Sequence, residues 1–242
     1  RLFEQVAAFN RDTITAARGL PGQVATLILP ADVSWGEGGV PCAVLPPPAP
    51  AVADDATVEV IAAAIRSGRK TALLLGARAL REPSLVAAAR IAAHCGVTLL
   101  AETFPTRIER GAGLPVVERI AYLAELAGVQ LADVEHLVLV DSKAPVSFFA
   151  YPGKQSYLVP DTCKVLTLAT DVQDTTASLN KLARVLGAGN ATPVLQASQR
   201  PGRPRGKLTA EKVCKAVGHL LPEHAIIVDE SITSGLMLSA MT

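Results

Sequence analysis

The sequence is poor in aromatic residues and has no excess of charge of either sign. Phe, Trp and Tyr make up 4% of the 242 residues, and 23 basic side chains stand against 22 acidic ones. Proteins that bind nucleic acid or an anionic membrane surface usually carry a basic excess on at least one face. The charge balance therefore favours neither nucleic acid nor a membrane as a partner.

Cysteine is also scarce, and its spacing excludes two kinds of site. The four cysteines, Cys42, Cys95, Cys163 and Cys214, stand alone, and the four histidines do not stand at metal-ligand spacing. Without a Cys-x-x-Cys pair the sequence predicts neither a zinc site nor a disulfide framework. No apolar run reaches the roughly 18 residues that span a bilayer. These absences are typical of a cytoplasmic protein with reduced thiols.

The hydrophobic residues, half of the sequence, follow a regular alternation. Continuous apolar runs at 71–75, 97–100, 137–140 and 165–168 alternate with amphipathic segments of helical period. Such runs are typical of strands that are buried on both faces, and the segments between them are typical of crossover helices. The alternation predicts an α/β fold, a Rossmann-like doubly wound parallel sheet with helices on both faces.

Turn residues predict where these helices begin and end. Asp54 or Asp55 and Asp174 are expected N-caps, because a short side-chain oxygen can accept a free amide of the first turn. Pro83 and Pro115 are each expected in the first turn of a helix, where the missing N–H costs nothing. Gly96 is expected to end the helix that begins near Pro83.

Two segments rich in Pro and Gly divide the chain. Residues 36–53 include three consecutive prolines, and residues 189–207 include a basic, proline-interrupted run. Both favour extended linkers. The N-terminal flank (residues 1–35) predicts a helix that ends at Arg18 and a buried strand over 24–29. The C-terminal flank (residues 208–242) predicts a helix capped by Thr209 and a strand over 225–228. We expect both flanks to be parts of further domains.

Ligands of open parallel sheets bind at the carboxyl ends of the strands, near the point where the strand order reverses. Candidate nucleotide-binding residues are therefore those that follow the strands: Gly76, Ala77, Arg78, Glu102, Thr103, Asp141, Ser142 and Lys143. Glycine lets backbone amides approach a phosphate, Arg and Lys can pair with it, and a carboxylate can accept ribose hydroxyls. Alternatively, Gly76 serves a tight turn, Arg78 is a surface charge, and Asp141 and Lys143 cap the next turn.

One short segment collects aromatic side chains. Phe148, Phe149 and Tyr151 lie within four residues of one another. An adenine could stack there, or another domain could pack against the segment.

The order of these segments resembles that of acetolactate synthase-like enzymes, which depend on thiamine diphosphate. Pro21–Val33 (Pro-Gly-Gln-Val-Ala-Thr-Leu-Ile-Leu-Pro-Ala-Asp-Val) is similar to the end of their pyrimidine-binding domain. Ile226–Ser234 (Ile-Ile-Val-Asp-Glu-Ser-Ile-Thr-Ser) looks like the start of their diphosphate-binding domain, most of all in benzoylformate decarboxylase-type members. The resemblance implies a central Rossmann-like domain over 54–188, joined by the two linkers to the flanking domains.

The resemblance also implies a function. Such enzymes are lyases or transferases that use thiamine diphosphate and Mg²⁺ on 2-oxo acids, with the cofactor as electron sink. Their activating glutamate and their magnesium ligands belong to segments outside this chain, so no catalytic residue or metal ligand is expected here. Glu230, Ser231 and Thr233 are implied to contact the diphosphate; alternatively, Ser231 and Thr233 cap a helix. The whole enzyme is implied to be a homodimer or homotetramer, and the chain alone is expected to be inactive.

A second nucleotide is a separate question. Acetolactate synthases hold FAD along the strand exits of the central domain, and other relatives hold ADP or nothing there. Gly76–Arg78 and Asp141–Lys143 depart from the glycine run and the Gly-Ala-Arg run of the FAD-binding branch, which counts against FAD. A spacer role for the central domain remains an alternative, as does a free-standing FAD- or nucleotide-binding module.

Overall fold

The computed structural model describes residues 2–242, with side chains described from residue 7 onward, so that Arg1 of the N-terminal flank lies outside the described residues. The described residues form two compact units. The first contains residues up to Ile108 together with Val117–Pro193, and the second contains Glu109–Val116 together with Val194–Thr242. None of the described helices is long and apolar enough to cross a membrane.

The first unit is built on a five-stranded sheet in which every pair of neighbouring strands is parallel. Its strands are β1 (Thr71–Leu75), β2 (Thr98–Ala101), β3 (Glu118–Arg119), β4 (His136–Val140) and β5 (Lys164–Ala169). Their spatial order is β3-β2-β1-β4-β5. The predicted α/β fold with a parallel sheet is confirmed, and four strands lie within two residues of their predicted positions.

The α-helices of the first unit are α1 (Leu2–Arg18), α2 (Ala31–Trp35), α3 (Asp55–Arg66), α4 (Glu82–Cys95), α5 (Ala124–Leu131) and α6 (Thr175–Val185). Helices α3, α4, α5 and α6 cover the sheet. On one face, Leu73 and Leu75 of β1 pack with α3, α4 and α6, while on the other face Ala72 and Leu74 pack with α5. Alternate side chains of a strand point to opposite faces, so both faces of β1 are buried.

The predicted helix ends are confirmed where a capping side chain, a proline or a glycine marks them. Asp54 Oδ1 accepts the Thr57 N–H at 2.7 Å, and Asp174 Oδ1 accepts the Ala177 N–H at 2.8 Å. Pro83 lies in the first turn of α4, and Gly96 follows its last residue with a left-handed φ of 71°. Helix α1 ends at Arg18 as predicted.

The prediction that Pro115 opens a helix is wrong. Residues 118–119 form the edge strand β3 beside Leu100 and Ala101, and the helix begins only at Ala124. The Ile120 N–H donates to the Ala101 carbonyl at 2.9 Å, and the Ile120 side chain is buried in the core. Pairing with β2 and burial of Ile120 thus outweigh the local preference of Pro115 for a helix start.

The predicted strands of the two flanks are also wrong for this chain. In the first unit, residues 24–29 form no strand, and Val24 is 94% and Ile28 87% exposed. In the second unit, residues 225–228 likewise form no strand, with Ile226 73% and Val228 79% exposed. A strand needs a neighbouring backbone to satisfy its N–H and C=O groups, and the described residues supply none to either segment.

The second unit contains α7 (Ala210–Leu220) and the short α8 (Leu238–Met241). Thr209 caps α7 as predicted, since its hydroxyl accepts the Lys212 N–H at 3.3 Å. Loop 109–116 belongs to this unit: the Gly113 N–H donates to the Gln196 carbonyl at 3.0 Å.

A substitution of Leu73 tests whether β1 lies in the hydrophobic core. Its side chain is fully buried. We expect Leu73→Ala to lower the free energy of unfolding by about 2–5 kcal/mol, because it removes apolar contacts and leaves a cavity. Urea unfolding measures this. Val60→Ala, at a half-exposed position of α3, is the control and should change the free energy by less than about 0.5 kcal/mol. Equal losses in the two variants would contradict the assignment of Leu73 to the core.

A substitution of Asp54 tests whether its charged carboxylate caps α3. The hydrogen bond from the Thr57 amide lowers the pKa of the Asp54 carboxyl below its ordinary 3.8. A lowered folded-state pKa means that the charged carboxylate stabilises the fold above pH 3.8 and loses this effect as the pH falls through the folded value. We expect Asp54→Ala to lower the Tm at neutral pH and the difference from the unmodified chain to shrink below pH 3.8. Asp161→Ala, at an exposed position, is the control in the same melting series. A loss that does not vary with pH would refute the charged cap.

Candidate functional site

The strand order reverses between β1 and β4, which makes their carboxyl ends the candidate site. The chain leaves β1 towards β2 on one side, whereas it leaves β4 towards β5 on the other. Gly76 follows β1 and Asp141 follows β4, and the Gly76 N–H donates to the Val140 carbonyl at 3.0 Å. Glu102, which follows β2, donates its N–H to the Leu75 carbonyl at 3.0 Å. The structure therefore brings the predicted strand-exit residues together.

Glu102 turns towards the backbone that follows β1. Its Oε1 accepts the Ala77 N–H at 3.1 Å. Ala77 begins a 3-10 turn, Ala77–Leu80, and has a positive φ of 36°. In a nucleotide-binding sheet, a phosphate takes amides of this turn. Here the carboxylate of Glu102 takes one of them.

Asp141 takes the next amide. Its Oδ2 accepts the Arg78 N–H at 3.2 Å, the Arg78 Nε–H at 3.0 Å and the Thr175 hydroxyl at 3.4 Å. The Asp141 side chain is 2% exposed, and the Arg78 side chain is 31% exposed. The guanidinium of Arg78 also donates to the carbonyls of Thr170 at 3.4 Å and Asp171 at 2.7 Å. Arg78 is thus neither a simple surface charge nor free to receive a phosphate.

The remaining candidates at the strand ends are Ser142, Thr103 and Lys143. None of their side chains bonds to Glu102, Asp141 or Arg78. Ser142 donates its hydroxyl to the Leu74 carbonyl at 2.7 Å, so it ties the end of β4 to β1. Thr103 is half-buried and Lys143 is exposed. Neither side chain has a hydrogen-bond partner among the residues that the structure describes. The sequence did not predict Thr175 as a member of the cluster around Asp141. Its position directly after the capping Asp174, at the start of α6, was the one available signal.

The aromatic segment joins a larger exposed cluster. Phe148 stacks against Tyr122 with ring centroids 5.5 Å apart, and Phe104 lies edge-on to Phe148 at 4.9 Å. Phe149 lies edge-on to Tyr122 at 5.7 Å. A cavity of about 360 Å³ opens beside Tyr122, Phe149 and Tyr151. The sequence indicated only the members of this cluster that follow β4, because Phe104 and Tyr122 come from other loops.

The predicted diphosphate-contact residues lie in the second unit. Glu230, Ser231 and Thr233 are all exposed. Ser231 donates its N–H to Asp229 Oδ1 at 3.0 Å and its hydroxyl to the same oxygen at 2.6 Å. No group of three or more His, Cys, Asp or Glu among the described residues is placed to hold a metal ion. These residues do not by themselves make up a site for thiamine diphosphate and Mg²⁺.

Two of the cysteines lie in environments that disfavour a reactive thiolate. All four are free. Burial raises the pKa of the Cys95 and Cys163 thiols, with Arg66 only partly offsetting the effect at Cys95. A raised pKa leaves less of the nucleophilic thiolate at neutral pH. Cys95 and Cys163 are therefore poor candidates for a catalytic nucleophile.

Comparison with known proteins gives one close sequence relative and a clear structural neighbour. The chain is 48% identical over 237 residues to a Mycobacterium tuberculosis H37Rv protein provisionally named acetolactate synthase large subunit IlvX. The alignment covers 98% of this chain and 45% of that protein, so the chain spans about half the length of its relative. No protein-family model matches the chain.

The structural neighbour is the thiamine diphosphate-dependent 4-hydroxybenzoylformate decarboxylase of Rhodococcus jostii RHA1. Its structure matches 93% of this chain and 46% of its own, with a TM-score of 0.62. At 16% identity, this likeness establishes the fold. The sequence relative agrees with the resemblance to acetolactate synthase-like enzymes, over nearly the whole of this chain. The chain is thus similar in sequence to a protein that is provisionally named as an acetolactate synthase large subunit, and it is similar in fold to a thiamine diphosphate-dependent decarboxylase.

Proposed function

We propose that this chain is the middle part of a thiamine-diphosphate-dependent 2-oxo-acid decarboxylase or synthase of the acetolactate synthase type. In this proposal, residues 54–188 form a structural central domain. Residues 1–35 complete a pyrimidine-binding domain, residues 208–242 begin a diphosphate-binding domain, and 36–53 and 189–207 are the linkers between them. The whole enzyme is a cytoplasmic lyase or transferase that works as a homodimer or homotetramer.

The observation that carries the proposal is the difference between the central fold and its flanks. The central sheet buries β1 and β4 completely. The flanks instead leave Val24 and Ile28 exposed in the first unit and Ile226 and Val228 exposed in the second. Each is an apolar run with the composition of a buried strand, and burial of such a side chain is worth about 1.5–3 kcal/mol. Strands of flanking domains would supply both the backbone partners and the apolar cover.

The proposed division of labour follows from the side chains that the chain offers. Thiamine diphosphate supplies an electron sink for the breakdown of a 2-oxo acid. Among the described residues, no carboxylate cluster is placed to hold its Mg²⁺. We therefore assign the activating glutamate and the magnesium ligands to the flanking domains. Within this chain, we assign Glu230, Ser231 and Thr233 to contact with the diphosphate. Ser231 would then have to give up its hydrogen bonds to Asp229 and donate to the diphosphate instead.

The proposal predicts that the 242-residue chain has no turnover of its own. Pyruvate, thiamine diphosphate and Mg²⁺ added to the purified chain should yield no carbon dioxide above the protein-free reaction, because the groups that activate the cofactor are missing. The matched control is the longer protein that carries both flanking domains, assayed in the same buffer. A measurable rate from the chain alone would refute the division of labour. A saturable FAD complex of the chain without any turnover would instead favour the free-standing flavin module.

The flanks provide a second prediction that does not depend on activity. Ile28→Ser and Val228→Ser should leave the Tm of the 242-residue chain almost unchanged, because both side chains are already exposed. In the longer protein the same changes should lower the Tm by several degrees, because each would place a hydroxyl in a buried strand. Val60→Ser, on the exposed side of α3, is the control and should be neutral in both proteins. Equal Tm changes in the two proteins would show that the flanks stay exposed.

A further inference from the structure

The carboxyl ends of β1, β2 and β4 hold two carboxylates at the place where a nucleotide-binding sheet holds a phosphate. We propose that Glu102 and Asp141 are built-in substitutes for that phosphate, so that the central domain keeps its fold without a nucleotide at the strand-order reversal. In this proposal the two carboxylates occupy the backbone amides at the site where the sequence predicted contacts with a ligand. It does not depend on which reaction the whole enzyme catalyses.

The first argument concerns the amides. A phosphate at the turn after the first strand binds because consecutive backbone N–H groups point at it without partners. Here the Ala77 N–H donates to Glu102 and the Arg78 N–H donates to Asp141. A nucleotide would have to break both charge-assisted hydrogen bonds before it could form its own. The anion-binding capacity of the turn is thus already used within the chain.

The second argument concerns charge. Asp141 is buried and pairs with Arg78 through Nε at 3.0 Å, while the guanidinium also reaches two carbonyls beyond β5. A phosphate that recruited Arg78 would leave the Asp141 carboxylate buried without its counter-charge. Removing one partner of a buried pair costs more than the pair itself contributes. A phosphate at this place would also meet the negative charge of Glu102.

The third argument concerns space. A Cβ atom on Gly76 would lie 2.4 Å from the Asp141 carbonyl oxygen, 2.9 Å from Ser142 Cβ and 3.1 Å from Glu102 Cδ. The glycine therefore serves a close approach between the ends of β1 and β4, where not even a methyl group fits. In a nucleotide-binding turn, the missing side chain leaves room for the ligand. Here the chain itself fills that room.

Backbone conformation agrees with a built-in contact. Ala77 and Asp141 both have positive φ, at 36° and 51°, a region that costs most residues other than glycine about 1 kcal/mol or more. Both residues belong to the network, Ala77 through its amide and Asp141 through its carboxylate. The hydrogen bonds to Glu102 and Asp141 hold these two residues in place. Their strain thus has a structural purpose that needs no ligand.

Ligand titration of the unmodified full chain tests the proposal directly. We expect FAD, ADP and coenzyme A, each tested by isothermal titration calorimetry at concentrations up to the millimolar range, to give no saturable heat. Sodium phosphate should change the Tm no more than sodium chloride of equal ionic strength. Saturable binding of FAD or ADP that is weakened by Arg78→Ala would place a nucleotide at the turn and overturn the proposal.

Variants of Glu102 test the same contact from the other direction. Glu102→Ala should lower the Tm by about 4 °C, because the Ala77 amide loses its partner. Sodium acetate, a free carboxylate, should restore part of that loss in Glu102→Ala when compared with sodium chloride of equal ionic strength. Glu102→Gln keeps an acceptor oxygen, so it should retain most of the Tm and still bind no nucleotide.

The matched control is Glu59→Ala, which removes an exposed carboxylate from α3 and should show neither the loss nor the acetate effect. If Glu102→Ala melts like Glu59→Ala, Glu102 does not hold the turn and the proposal fails. If Glu102→Ala is too unstable to measure, Glu102→Gln and the titration of the unmodified chain still decide the question. Gain of nucleotide binding by Glu102→Gln would mean that charge alone kept the ligand out, and it would refute closure of the site by hydrogen bonds.

Discussion

The parallel pairing of β1 with β4 is the constraint on which the rest of the central fold depends. Thr71–Leu75 lies in register with His136–Val140, and all ten of these residues are buried. The two strands are far apart in the sequence, so the pairing closes a long loop, whose entropic cost must be met by burial on both faces. Strand β2 pairs with β1, β5 pairs with β4 on the opposite side, and the segments that follow β1 and β4 leave the same edge of the sheet side by side. The pairing therefore fixes both the core and the position of the candidate site.

Much of this fold could be predicted because its signals are local. Continuous apolar runs located four of the strands, and Asp54, Asp174, Thr209 and Gly96 marked helix ends through contacts within a few residues. Pro115 misled because its local preference competed with the distant pairing of residues 118–119 with β2. The strands predicted in the flanks have the right composition, but composition cannot reveal whether a neighbouring strand is present.

The candidate site could be located from the sequence, but its role could not. Strand ends and a fold rule were enough to select Gly76–Arg78 and Asp141–Lys143. What those residues do depends on side-chain contacts across 25 and 63 positions of the sequence, between Ala77 and Glu102 and between Arg78 and Asp141. A carboxylate after a strand can accept a ribose hydroxyl or a backbone amide of its own chain with the same oxygen atoms. The direction in which the side chain points decides between them, and a sequence pattern does not carry that direction.

Closure of the turn by carboxylates also explains how one fold can serve with or without a nucleotide. The free amides after β1 need an acceptor in either case, because the end of a buried strand cannot leave them without a partner. A bound phosphate can meet that need, but the fold is then coupled to ligand concentration. Glu102 and Asp141 meet it at every concentration, and Arg78 balances the charge of the buried carboxylate. A sheet closed in this way keeps its fold at any ligand concentration, which is what the proposed spacer role of residues 54–188 would require.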